Sequence, residues 1–348
     1  MGTRAGCPGS WGCGAAKPRC RRTVDFYDLA VAASLTKEEL EAAHCWEAED
    51  RVPGRPEMTD FRRMLRYHQA QWREANGHPI GSQPIAPRTD QTARLVGSRL
   101  PLAYAKETGA TFVTEGALEA ARARTSTVEP HQSFDHQRFW ADLLWSPTLA
   151  FNVFGELFAD IGLADRAVHT WWPDTPGTVS DVRFEHSPGR LDPAYLNSLR
   201  AFDASFVLDL GDGTRGIVCV DTKYHERSKS EIPKPSNLKR YVEVAERSRV
   251  FGPGAVDAVK GRSDLAVMWL EHLLLLSMLQ HPSGAWSWGR YVVVRPAGNS
   301  DVADACTRYG DRLVDRSTFT SVTLEDLLDA DALRAQTTAA LRDRYLPG

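Results

Sequence analysis

Residues 201–226 constrain the fold of this 348-residue chain more than any other segment. Apolar and polar residues alternate from Phe202 to Leu210, and this period of two predicts a β-strand with one buried face. Residues 217–220 form an unbroken apolar run, which predicts a central strand covered on both faces. The glycine-rich stretch between them predicts a tight turn. We therefore expect a hairpin within a larger sheet.

Charged residues lie at the ends of these two strands. Asp203 is near the start of the first strand, and Asp221 and Lys223 close the second. An acid-x-Lys triplet alone carries no weight, because roughly one is expected by chance in a chain with 45 acidic residues. Its context matters, since ionised groups beside a buried strand need compensating partners. Two carboxylates and an ammonium can together hold a divalent cation and a phosphate; an ordinary ion pair is the alternative.

The length of the hairpin turn decides whether these groups can meet. Asp221 and Lys223 are two residues apart and share one face of their strand. Asp203 joins that face if the turn has an odd number of residues, for example 212–214 with residue 203 opposite 223, or if a bulge intervenes. We predict one of these two arrangements. A bulge-free two-residue turn would count against a shared site.

Composition limits the classes of function. The net charge of −3 shows no global signature of a nucleic-acid-binding protein, so any phosphate-binding surface must be local. The six cysteines include no CxxC pair and match no common zinc spacing. The longest apolar segment, 265–279, is interrupted by Glu271 and His272 and is too short for a membrane span. We expect a soluble, cytoplasmic protein with reduced thiols.

Three regions are predicted along the chain: a basic, partly disordered leader over 1–58, a mainly helical N-terminal region over 59–147 that packs on the core, and the core itself over 148–348. From residue 148 the order is helix, strand, strand, strand, helix, strand, which predicts an α/β (α+β) fold with a mixed sheet flanked by helices. The expected helices cover residues 36–45, 59–75, 116–124, 132–145, 148–160 (ended by Gly162), 237–250, 257–280 and most of 324–345, and further strands cover 182–186 and 290–295.

Five words in this order carry a family resemblance: FNVFGEL at 151–157, FEHSPGR at 184–190, FDASF at 202–206, VDTKYHE at 220–226 and YVVVRPAGN at 291–299. Together they resemble the core of the PD-(D/E)XK nuclease superfamily, in particular a little-characterised restriction-endonuclease-like branch. The resemblance implies a restriction-endonuclease-like core over 148–348 and metal-dependent hydrolysis of phosphodiester bonds in DNA. Two departures are a phenylalanine before Asp203, where proline is usual, and an aspartate at 221, where glutamate is commoner.

The resemblance also implies roles for individual residues. Asp203 and Asp221 would bind Mg²⁺ or Mn²⁺, and Lys223 would contact the attacking water or the scissile phosphate. A further acid is usual on the preceding strand or helix; Glu185 on the strand is the first choice for it. Glu156 on the helix is the second choice, and Glu226 is a candidate for the outer shell of the metal.

A local excess of basic residues follows the proposed site. Residues 223–249 hold eight basic and four acidic side chains, a balance that suits phosphate contacts or a plain charged helix face. The candidate DNA contacts are Lys229, Lys234, Lys239 and Arg240. A homodimer is plausible, because cleavage of two strands commonly needs two active sites. Two alternatives stay open: a non-catalytic nucleic-acid-binding protein on the same fold, and strand-end charges with only a structural role.

Overall fold

A computed structural model describes residues 1–2, 35–83, 93–132 and 134–347. Most of the predicted basic leader lies outside the described residues, and the predicted boundaries at 58 and 147 stay predictions.

The α-helices from residue 35 onward are α1 (Lys37–Ala42), α2 (Pro56–Ala75), α3 (Leu102–Thr108), α4 (Glu115–Ser126), α5 (His136–Ala141), α6 (Ser146–Ala159), α7 (Ile161–Trp171), α8 (Leu238–Ser248), α9 (Ala255–Val259), α10 (Ala266–Leu279), α11 (Ser300–Gly310), α12 (Leu324–Asp329) and α13 (Ala335–Tyr345). The strands are β1 (Gly81–Ser82), β2 (Leu95–Val96), β3 (Thr178–His186), β4 (Phe202–Asp209), β5 (Arg215–Thr222), β6 (Trp286–Arg295) and β7 (Phe319–Thr323).

The main sheet has five strands in the order β3-β4-β5-β6-β7. Strands β3 and β4 pair antiparallel, as do β4 and β5, whereas β6 runs parallel to β5 and β7 runs parallel to β6. Strands β1 and β2 form a separate antiparallel pair. The chain therefore has the predicted mixed sheet flanked by helices, and β5 is its central strand, as its unbroken apolar run indicated.

The two faces of the sheet pack against different helices. Phe206 and Val218 belong to a core shared with α4, α6 and α7. Val207 and Cys219 face the other way, into a core shared with α8, α10 and α11. Because both faces are covered, β4 is buried along its whole length except at Asp209. The expectation of one exposed face for this strand was wrong, and its polar side chains on the α10 side lie in a buried environment.

Several helix boundaries follow local sequence signals. Helix α1 begins after Thr36, whose side chain and that of Glu39 form a reciprocal capping box. Helix α2 begins at Pro56, a residue type that suits the first helical turn. Gly162 was wrongly taken to end the helix before it. Instead, Asp160 caps a new helix, α7, by accepting a hydrogen bond from the backbone N–H of Leu163 at 2.9 Å.

The long helix predicted over 257–280 is divided. Helix α9 ends at Val259 and α10 begins at Ala266. Between them Ser263 exchanges two backbone hydrogen bonds with Glu231, each 3.0 Å long. This long-range pairing holds the backbone between α9 and α10 out of a helix, and no local sequence pattern predicts it. Strand β7 was also missed, since it gains its hydrogen bonds only beside β6.

Within the described residues, no helix combines the length and apolar character that crossing a membrane requires.

Phe206 provides a test of this packing. Its side chain is fully buried between the sheet and α6, with its ring 5.6 Å from that of Phe154, centroid to centroid. We expect Phe206→Ala to lower the free energy of unfolding by about 3–5 kcal/mol, because the substitution leaves a cavity. Urea unfolding measures this change. Leu199→Ala, at a residue that is 53% exposed, is the control and should change stability by less than about 0.5 kcal/mol; equal effects would contradict the assignment of this core.

Candidate active site

The hairpin turn between β4 and β5 contains three residues, 211–213. The N–H of Leu210 donates to the carbonyl of Thr214 at 3.4 Å, which closes the turn. Gly211 and Gly213 have φ of 76° and 84°, in the left-handed region that glycine tolerates. The side chain of Asp212 accepts a hydrogen bond from the backbone N–H of Thr214 at 2.8 Å. The predicted odd turn is confirmed, but it lies one residue earlier than the example of 212–214.

This register aligns three acidic residues across three strands. Ala204 pairs with Val220, so Asp203 lies across from Asp221 and not from Lys223. On the other side, β3 pairs with β4 in a register that places Glu185 across from Asp203. Partners in an antiparallel pair point to the same face of the sheet. The acids at 185, 203 and 221 thus occupy one level of the sheet.

Asp203 is held by hydrogen bonds from the residue that follows Asp221. Its Oδ2 accepts from the backbone N–H of Thr222 at 2.7 Å and from the hydroxyl of Thr222 at 2.6 Å. Burial and the neighbouring charge of Asp221 raise the pKa of Asp203 well above its usual value. The two hydrogen bonds orient this carboxylate, while its environment disfavours a second uncompensated negative charge.

Asp221 and Lys223 form a close ion pair, with Nζ and Oδ2 2.5 Å apart. Burial opposes ionisation of Asp221, yet the ammonium of Lys223 and neighbouring hydrogen bonds outweigh it and lower the pKa of that carboxyl. Burial likewise opposes the charge of Lys223, but the nearby carboxylates, Asp221 first, raise the pKa of its ammonium. Both groups therefore stay ionised at neutral pH.

A fourth acid, Glu271 on α10, joins this group and was missed as a site residue. The hydroxyl of Tyr291 lies 2.8 Å from Glu271 Oε2 and 3.3 Å from Asp221 Oδ2, so it bridges the two carboxyl groups. Arg200 donates to Glu271 Oε1 at 3.2 Å. Burial, together with the charge of Asp221, raises the pKa of Glu271 to about 8. The sequence carries a signal for this residue, because Glu271 is an acid inside an otherwise apolar helix.

Glu185 lies at the end of β3 in a strained backbone conformation. Its φ is 50°, a value uncommon for a residue other than glycine. Arg190 donates to its backbone carbonyl at 3.0 Å, while no described side chain donates a hydrogen bond to its carboxyl group. Burial raises the pKa of this carboxyl to about 7. Its carboxyl oxygens are therefore available to a further ligand.

Glu156 lies away from these acids, so the prediction that it is a metal ligand is corrected. Glu156 lies on α6, on the opposite face of the sheet from α10. Its carboxylate accepts from the backbone and the guanidinium of Arg334, both at 3.0 Å, and from the hydroxyl of Thr337 at 2.8 Å. Because these donors belong to the start of α13, Glu156 anchors that helix to the core.

Glu226 is also engaged elsewhere. Its carboxylate accepts a hydrogen bond from the hydroxyl of Ser146, which in turn accepts from the backbone N–H of Tyr224 at 3.0 Å.

Among the predicted DNA contacts, the guanidinium of Arg240 donates to the carbonyls of Ala194 and Tyr195, at 2.7 Å each. The other candidates, Lys229, Lys234 and Lys239, are exposed.

The donor set fits a divalent metal of the magnesium type. Within the described residues, no group of three or more His, Cys, Asp or Glu side chains is arranged so that it could hold a metal ion. Mg²⁺, however, is commonly bound by one or two carboxylates, with water and substrate phosphate completing its shell. Asp203 and Asp221 supply two such carboxylates. The raised pKa values of Asp203, Glu185 and Glu271 show an excess of buried acid that a cation would balance.

Comparison with known proteins adds one finding. A family model described as the PD-(D/E)XK nuclease superfamily matches residues 56–347. The match begins at the first residue of α2 and runs through the whole five-stranded sheet. No curated protein matches the chain, and no solved structure does.

Glu156→Ala tests the anchoring role of Glu156. The variant leaves the hydroxyl of Thr337 and the N–H groups of Arg334 without their acceptor, so we expect the free energy of unfolding to fall by about 1–3 kcal/mol. Urea unfolding measures this, with Glu119→Ala at an exposed residue of α4 as the control. Unchanged stability combined with lost binding of Mn²⁺ would return Glu156 to the candidate ligands.

Glu271→Gln tests the environment of the buried acids. The pKa of Glu271 is about 8 in the folded protein, above its ordinary 4.5, so the folded state binds a proton that the unfolded state lacks between these values. Its contribution to stability is full below the unfolded pKa and is lost as pH rises through the folded pKa. In chelator-treated protein, the free energy of unfolding of the wild type minus that of the variant should fall by up to about 1.4 kcal/mol per pH unit between pH 6 and 8.

Urea unfolding at three pH values measures this difference. Taking the difference cancels the titrating groups that do not interact with residue 271, and Glu119→Gln is the matched control, for which the difference should stay flat. A flat difference for Glu271→Gln would show that Glu271 is ionised throughout this range, and a difference that rises with pH would contradict a raised pKa of Glu271.

Proposed function

The chain belongs to the PD-(D/E)XK nuclease superfamily, and from this membership and the strand-end carboxylates we propose that it hydrolyses phosphodiester bonds in DNA as a metal-dependent, restriction-like endonuclease. The observation that carries the proposal is the register of β4 and β5. It sets Asp203 across from Asp221, whose partner Lys223 lies 2.5 Å away. Oxygen ligands for a cation and an ammonium for a phosphate thereby occupy one end of the hairpin.

Asp203 and Asp221 are the residues that would hold Mg²⁺ or Mn²⁺. When bound, the metal supplies Lewis-acid charge that offsets the negative charge of the scissile phosphate. Thr222 orients the carboxylate of Asp203, and the hydroxyl of Tyr291 orients that of Asp221. Both carboxylates are thus fixed before a ligand arrives, so little reorganisation is needed when the cation binds.

Lys223 is the residue that would contact the phosphate. Its raised pKa keeps the ammonium protonated, and its side chain remains 22% exposed. An ammonium can donate three hydrogen bonds, so Lys223 can keep Asp221 as one partner and offer an N–H to a phosphate oxygen. There it stabilises the negative charge that develops as the phosphorus–oxygen bond breaks.

Glu185 is proposed as the additional acid. Its carboxyl group shares the level of Asp203, and no described side chain donates to it. Its strained backbone conformation supports a functional role, since such strain clusters at active sites.

Exposed Lys229, Lys234 and Lys239 are proposed to contact DNA phosphates, which would make binding weaker at high salt. Cleavage of both strands would bring two copies of the chain together on DNA.

Lys223→Ala and Asp221→Ala test the proposed activity. Plasmid and oligonucleotide DNA are incubated with each protein in Mg²⁺ or Mn²⁺, and initial cleavage rates are compared. Each substitution removes a charge from the reacting centre, so we expect rates at least about 100-fold lower than wild type. Lys106→Ala, at an exposed residue of α3, is the matched control and should cleave at the wild-type rate.

Cleavage that survives both substitutions would contradict the assignment of the site. DNA binding without metal-dependent cleavage by the wild-type protein would instead favour a non-catalytic binding protein on this fold. Adding a chelator should abolish cleavage by the wild type, and cleavage in its presence would exclude a role for a divalent metal.

A further inference from the structure

A cavity of about 170 Å³ opens beside Lys223; we call it the lysine-side cavity. Its floor is apolar and includes the buried side chains of Met268 and Val302 and the partly buried Val267. Its rim carries exposed cationic side chains, those of Arg227 and Lys229. The cavity thus combines an apolar surface with positive charge, directly next to the group proposed to hold the scissile phosphate.

The wall of this cavity is fixed by hydrogen bonds from the start of α11. The side-chain amide of Asn299 donates to the carbonyls of Tyr224 and Glu226, at 3.2 and 2.9 Å. The backbone N–H of Ser228 donates to Asp301 Oδ2 at 2.6 Å. Residues 224–228 have no regular secondary structure, and these contacts help to hold them in place together with the hydrogen bond from the backbone N–H of Tyr224 to Ser146. A preformed wall lowers the entropy lost when a ligand binds.

The charges around the cavity favour an anionic ligand. Of its two acids, Asp264 is paired with Arg308 at 2.6 Å, and Glu226 accepts from the hydroxyl of Ser146. Neither Arg227 nor Lys229 forms an ion pair with any described residue. The neutral hydroxyl leaves the charge of Glu226 in place, so two positive charges and one negative charge without a cationic or anionic partner face this space, and their balance is positive.

We propose that the lysine-side cavity binds the base of one nucleotide adjacent to the scissile phosphate. The proposal rests on the proposed function and deepens it, since it requires a substrate whose nucleotide at the cleavage position is unstacked, as in single-stranded or extrahelical DNA. A space smaller than the roughly 300–1,000 Å³ of typical drug-sized ligand sites accommodates one ring system and no stacked base pair. Lys223 would hold the phosphate and the apolar floor would contact the base.

The chemistry of the lining suits a nucleobase. A flat ring packs favourably against the polarizable sulfur of Met268 and the methyl groups of Val267 and Val302. The guanidinium of Arg227 can stack on the exposed face of the same ring. Moving a base out of a duplex costs stacking and pairing energy, which a single strand or a mispaired nucleotide largely avoids. The cavity therefore favours substrates that present such a nucleotide.

Binding of mononucleotides tests this proposal without turnover, because they contain no phosphodiester bond. The full-length protein in Mg²⁺ is titrated calorimetrically with inorganic phosphate and with the 3′- and 5′-monophosphates of 2′-deoxyadenosine. We expect at least one nucleotide to bind about tenfold or more tightly than phosphate. Val267→Phe fills the cavity and should abolish this preference, leaving phosphate affinity within about twofold of wild type. Val314→Phe, at a residue that is 68% exposed, is the control and should retain the preference.

A second measurement needs no substituted cavity. In protein labelled at the methionine methyl groups, the NMR signal of Met268 should shift when the nucleotide is added and stay in place with inorganic phosphate, because only a base brings a ring current to the cavity floor. Nucleotides that bind no more tightly than phosphate, a preference that survives Val267→Phe, or an unshifted Met268 signal would each overturn the proposal.

These results are separable from the test of the proposed function. DNA cleavage by a protein with no nucleotide preference would overturn the cavity assignment alone. Nucleotide binding by a protein that cleaves no DNA would overturn the proposed activity and support the cavity assignment. When both hold, the wild type should cleave an oligonucleotide with an unpaired nucleotide faster than the fully paired duplex of the same sequence, and Val267→Phe should reduce that difference.

Discussion

The pairing of two buried carboxylates across β4 and β5 is the constraint on which the rest of the site depends. Like charges directly opposite each other destabilise a sheet, and burial increases the penalty. The chain offsets this with two hydrogen bonds from Thr222 to Asp203 and with the ammonium of Lys223 beside Asp221. Because all four residues belong to one hairpin, the length of its turn determines whether the compensation is possible.

The helix that covers this face of the sheet is adapted to the same constraint. Helix α10 is apolar along most of its length, yet it places Glu271 against the hydroxyl of Tyr291, which also contacts Asp221. The guanidinium of Arg200 donates a hydrogen bond to the other carboxyl oxygen of Glu271. A buried polar network is stable only when its members find partners. The hairpin, α10 and β6 are therefore joined by polar contacts as well as by the apolar core, and these contacts orient Asp221.

The sequence was sufficient for those features that depend on local chemistry. Period-two alternation, an apolar run and a glycine-rich turn specify the hairpin, and with it Asp203, Asp221 and Lys223. The exact register was not accessible, because 211–213 and 212–214 are both three-residue turns. In the folded chain the turn is 211–213, with Gly211 and Gly213 both in the left-handed conformation.

Features that depend on tertiary contacts could not be predicted. Glu156 and Glu271 are both acids on mainly apolar helices, and sequence alone does not reveal which of them faces the strand ends. The partners decide it: Glu156 meets the start of α13, whereas Glu271 meets Tyr291. The interruption between α9 and α10 has the same origin, since a backbone pairing with residue 231 produces it.

An ordinary structural ion pair does not account for this arrangement. It would explain why Asp221 lies beside Lys223, but it gives no reason for Glu185, Asp203 and Glu271 to lie in the same buried region. Burial raises the pKa of each of these three groups, which means that each is destabilised when ionised. Retaining acids at a cost to stability is typical of sites that bind a charged ligand. A divalent cation with an attached phosphate matches both the excess of acids and the single ammonium beside them.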